Sequence, residues 1–74
     1  MSSPALPETW TPEDFRRALY RAGYEYAARR VREGLDPAAV RADLDGMAAY
    51  FDRPFSADTE RGVEDALAGR LPTL

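Results

Sequence analysis

Three proline-marked breaks divide the chain more firmly than any other feature of its sequence. At the first, Thr11-Pro12-Glu13-Asp14 offers a hydroxyl at an N-cap, proline at the first helical position and a carboxylate placed to complete a capping box. Trp10 and Phe15 then occupy the two positions of a hydrophobic staple. At the second break Gly34 stops one helix, and Asp36-Pro37 starts another as cap and first helical residue. At the third, Pro54 disfavours helix at Arg53, and Ser56 caps a helix whose first turn carries Asp58 and Glu60. Pro72 lies beyond its end. These marks predict helices over about 12–33, 37–52 and 57–70. The opening stretch 1–10, with Pro4 and Pro7 and no period, reads as an extended tail ahead of a three-helix domain over 11–74. No segment alternates in the manner of a strand, so the predicted class is all-α.

With 74 residues and no cysteine, the core must form without disulfides. A domain of this size buries only about 60% of the surface that its unfolded chain exposes, so a partner is expected to contribute to its stability.

The helices differ in how many faces they ask to bury. Helix two has one: Val40, Leu44, Met47, Ala48 and Phe51 follow helical spacing. With Phe51 in the core, Phe51→Ala is expected to cost about 3–5 kcal/mol. Helix three presents Val63, Ala66 and Leu67, with Leu71 beyond. Its glycines, Gly62 and Gly69, each cost up to about 1 kcal/mol against alanine, and reflect either close helix approach or compositional bias. Helix one has two apolar stripes about 140° apart: Phe15, Leu19, Ala22 and Tyr26 on one, Tyr20, Tyr24, Ala27 and Val31 on the other. At about 35 Å it also outreaches its neighbours. The expected architecture is a small three-helix bundle, a hairpin of helices two and three laid against long helix one. The Phe15 stripe is then inside, and the Tyr20 stripe is left outside for a second molecule. On this reading the domain is dimeric.

Composition excludes several chemistries. All ten basic residues are arginine, and the chain has no His, Cys or Lys, hence no imidazole base, thiolate, Schiff-base amine or the two commonest zinc ligands. Ser2, Ser3 and Ser56 have no partner base. Asp43-Leu44-Asp45-Gly46 opens like a calcium loop but lacks the third oxygen ligand and the distal glutamate, and Leu44 belongs to a helical core stripe. No catalytic, cofactor-binding or metal-ligating residue is assigned, and the chain is expected not to be an enzyme. It shows neither a signal-peptide pattern nor an apolar run of about 18 residues, so the expectation is a cytoplasmic protein without a membrane contact.

Surface chemistry points to binding. Residues 1–33 carry six arginines against five carboxylates, whereas residues 34–74 carry four against eight. Tyr20, Tyr24, Tyr26 and Val31, with Arg17, Arg21 and Arg32 on a neighbouring face, form the candidate partner-binding surface, since tyrosine combines apolar area with a hydroxyl for the rim. Pairing at i,i+4, as between Arg21 and Glu25, is the alternative role for these arginines. The function so indicated is a small protein–protein interaction module, an adaptor, regulator or inhibitor, whose partner is itself as a homodimer and a second protein besides. Two alternatives remain: a nucleic-acid-associated regulator using the arginine stripes of a helix-one dimer, and a non-catalytic subunit of an enzyme assembly. A net charge of −3 and an acidic helix three weigh against nucleic acid.

Overall fold

The computed structural model describes residues 10–73. It is built from three helices, α1 (Pro12–Arg32), α2 (Pro37–Tyr50) and α3 (Ala57–Leu67), with no strand among the described residues. The tail expected over 1–10 lies outside the described residues except for Trp10.

The caps form largely as their chemistry dictates. Thr11 Oγ1 accepts from the Asp14 amide at 3.2 Å, and Asp14 Oδ2 accepts from the Thr11 amide at 2.9 Å, closing the capping box. The Trp10 and Phe15 rings meet edge to face at 5.0 Å, as the staple requires. Ser56 Oγ accepts from the Thr59 amide at 3.2 Å. Asp36 caps without a side-chain bond, so Pro37 carries that start. The helices end slightly earlier than predicted, because the residue after each C-cap turns left-handed: Gly34 at φ 102°, Asp52 at 51° and Gly69 at 76°. Following amides then close back on the helix, Leu35 N to Arg30 O at 3.2 Å, Arg53 N to Ala48 O at 3.0 Å and Arg70 N to Asp65 O at 2.9 Å.

Packing departs from the expected hairpin. The principal pair is α1 on α3, with α2 against α1 to a lesser extent. Two glycines explain why. A Cβ on Gly62 would collide with the Tyr20 carbonyl oxygen, and one on Gly23 with the carbonyl oxygen of Thr59. The two backbones are therefore in contact, a separation that only residues without side chains permit. Of the two readings open for Gly62, close approach is the one realised. Gly69 instead serves the turn after α3.

That crossing decides which stripe of α1 is inside. Tyr20, Gly23 and Ala27 are buried, with Tyr24 and Val31 partly so, while Phe15 and Leu19 are 41% and 42% exposed. The expected placement of the two stripes is thus reversed, and Tyr20 cannot be an outward contact. Ala27, Val40, Leu44 and Val63 make the centre of the core, flanked by Tyr26, Val31, Leu35, Met47, Phe55, Ala66 and Leu67. Phe51, expected in that core, is 69% exposed: the helix ends before it, and its ring stacks edge to face on Tyr50 at the surface. Leu71 is likewise exposed. Arg41 holds α2 to α3, its guanidinium bonding both Glu60 oxygens, at 2.7 and 3.1 Å, and Asp45 at 2.9 Å. Arg30 bridges α1 to Asp43 of α2 at 3.8 Å.

Candidate interaction surface

The inward turn of Tyr20 creates a polar seam between α1, α3 and the segment after it. The Tyr20 hydroxyl donates to Asp65 Oδ2 at 2.5 Å and accepts from the Thr73 amide at 3.0 Å. Arg70 Nη1 donates to Asp65 Oδ1 at 2.9 Å, and the Tyr24 hydroxyl donates to the Arg70 carbonyl at 2.5 Å. Arg61 lies over the Tyr20 ring at 5.2 Å. The Tyr20 hydroxyl, and after it Arg70, hold the Asp65 carboxyl below its ordinary range. Among the described residues, every buried side-chain nitrogen or oxygen has a hydrogen-bond partner. This seam fastens the segment after α3 to α1, so the two tyrosine hydroxyls are used internally.

Burying the Tyr20 stripe leaves the other one open. Between the three helices, Ala22 and Tyr26 of α1 line a cleft of about 260 Å³. Its lining is completed by Gly23 of α1, Leu44 and Met47 of α2, Phe55 of the α2–α3 connection, and Thr59 and Val63 of α3. A second hollow of about 400 Å³ adjoins it, sharing Met47 and Phe55 and reaching Phe51, Arg53 and Pro54. The cleft is lined almost wholly by apolar atoms, and along α1 its wall continues at helical spacing into exposed Leu19 and Phe15. Arg29 covers the Tyr26 ring at 5.7 Å.

Of the candidate partner-binding residues named from the sequence, Tyr26 alone lines this cleft. Tyr20 is buried, Tyr24 is half-buried on the polar seam, and Val31 packs on the core. The arginines do not converge. Arg17, paired with Glu13 at 3.6 Å and Asp14 at 3.7 Å, borders an open hollow with Arg16 and Arg61. Arg32 borders a different hollow beside Tyr24 and Arg29, and Arg21 is exposed. Asp43 and Asp45 of the calcium-like tetrapeptide sit within α2 and pair with Arg30 and Arg41, while Leu44 is buried. Sequence reasoning missed Phe15, Leu19, Met47, Phe51 and Phe55 as surface candidates. The available signal was Gly23, which shares the Tyr20–Ala27 face and lets another backbone approach there.

Fold and surface together define a class, an all-helical three-helix domain with an apolar cleft beside its longest helix. The chain matches no protein-family model, no curated protein and no solved structure. No helix among the described residues is long and apolar enough to cross a membrane.

Proposed function

We propose that the chain is a small, non-enzymatic protein–protein interaction module acting as an adaptor, regulator or inhibitor. Its contact surface is the apolar face of Phe15, Leu19, Ala22 and Tyr26, continued by Met47, Phe51 and Phe55. One observation carries this reading: the cleft is lined by apolar atoms, and the helix stripe that supplies its Ala22 and Tyr26 also carries two half-exposed large side chains, Phe15 and Leu19. An apolar face joined to a concave cleft is the anatomy of a protein contact, with aromatic anchors at the centre. The tyrosine and arginine surface is a weaker candidate, since the tyrosine hydroxyls are engaged internally and Arg17 and Arg32 border separate hollows.

The test is comparative capture. Wild-type chain immobilised as bait should retain a protein that both Leu19→Glu and Phe51→Glu release, whereas Glu64→Arg, at an exposed position on α3, should retain it. Capture that is indifferent to both apolar-face substitutions contradicts the proposal.

A further inference from the structure

We infer that the cleft and the hollow beside it receive an acidic amphipathic helix of the partner protein, with its apolar anchors inside and its carboxylates against Arg29 and Arg53. The inference rests on the contact surface proposed above and names the chemistry of its partner.

Size and polarity specify the anchors. A cavity of about 150 Å³ holds a benzene-sized group. The cleft, at about 260 Å³, and the adjoining hollow, at about 400 Å³, therefore each have room for a large apolar side chain. Met47 and Phe55 belong to both, so successive anchors of one segment can fill the pair. The elements around them are helices, and among the described residues there is no strand edge to which an extended chain could add. A helix with apolar residues three, four and seven positions apart is the partner that such a groove serves.

Charge specifies the flanks. The chain has 13 Asp and Glu residues against ten arginines, yet among the described residues no carboxylate lines the cleft or the adjoining hollow. The cations at their margins are Arg53, which lines the hollow, and Arg29, three positions beyond Tyr26 and over its ring at 5.7 Å. Arg30 and Arg41 are bonded to Asp43 and Glu60 and hold α2 in place. Arg29 and Arg53 make no ion pair among the described residues. Apolar lining without an acidic neighbour, bordered by two guanidinium groups still open to a carboxylate, favours Glu or Asp beside the anchors. It also disfavours a lysine-flanked helix, whose cations would meet like charge.

Selection from a displayed library of helical peptides tests this. Apolar residues are fixed at spacings of three and four over about four turns, and the positions flanking them vary among Glu, Lys, Ala and Ser. The full wild-type chain should enrich Glu over Lys at the flanks. For a selected peptide read by fluorescence polarisation, Arg29→Glu and Arg53→Glu should each weaken binding about fivefold or more, with a smaller loss at high salt. Arg21→Glu makes the same change in charge about 140° around α1 from Tyr26, and should leave binding within about twofold. Ala22→Glu, at an exposed position lining the cleft, should abolish binding with unchanged helical circular dichroism. Failure to enrich any peptide, or enrichment of Lys or of neither charge, overturns the inference, as does binding that Arg21→Glu weakens as much as Arg29→Glu. A dimer of the chain alone in sedimentation equilibrium, dissociated by Ala22→Glu, assigns the face to a second copy and also overturns it. If a protein is captured in a Leu19- and Phe51-dependent manner while the selected flanks show no preference for acid, the proposed function stands and this inference fails.

Discussion

Gly62 of α3 lies against the carbonyl of Tyr20 in α1, closer than any side chain would allow. That single crossing sets the orientation of α1, and with it which aromatic residues are core and which are surface. Gly62→Ala and Gly23→Ala should each force the helices apart and cost about 1–3 kcal/mol or more. Gly46, mid-helix with open space where a Cβ would stand, is the control: Gly46→Ala should raise stability by up to about 1 kcal/mol. Urea midpoints of the three variants check the prediction, and equal effects at all three sites would refute the crossing.

The Tyr20–Asp65 bond predicts an acid-sensitive seam. Asp65 is held below its ordinary range by Tyr20 and then Arg70, and Asp14 by the Thr11 amide and then the Thr11 hydroxyl. Both folded values are depressed, so their contributions are fully present above about pH 4 and are lost as the pH falls through the folded values. Tyr20→Phe should lower the melting temperature more than Tyr24→Phe, because its hydroxyl makes one buried and one half-buried hydrogen bond rather than a single exposed one. It should also flatten the fall in stability below about pH 4, as should Asp65→Asn. Denaturation midpoints from about pH 2 to 7 read both effects.

Phe51 separates the two packing arrangements that the sequence allows. At 69% exposure, Phe51→Ala should change monomer stability by no more than about 0.5 kcal/mol, whereas Leu44→Ala, 4% exposed, should cost about 2–5 kcal/mol. Paired denaturation curves decide it. A cost at Phe51 approaching that at Leu44 would restore the core placement expected from helical spacing.

Helix starts were legible because caps are local chemistry: Thr11, Pro12, Asp14 and Ser56 act within four residues of themselves. The inner face of α2 was legible at Val40 and Leu44, where only one stripe is apolar. The orientation of α1 was not, because two apolar stripes compete there and hydrophobicity favours the Phe15–Leu19 side. The choice is made by Gly23 and Gly62, which carry no apolar side chain at all and act through backbone contact between distant segments. The polar seam was hidden for the same reason, since Tyr20 meets Asp65 and Thr73 only after the helices cross. Early termination of α2 rests on Asp52 turning left-handed, a conformation that asparagine and glycine announce more plainly than aspartate.

Leu19→Glu tests the central claim most directly, that the Phe15–Leu19 stripe faces outward and serves as the contact. Its denaturation midpoint is to be measured at a concentration low enough for the wild-type midpoint to be independent of concentration, alongside partner capture by the same variant. The account predicts stability within about 0.5 kcal/mol of wild type together with loss of capture. A chain unfolded by this substitution, or one that is equally stable and still captures its partner, would contradict it.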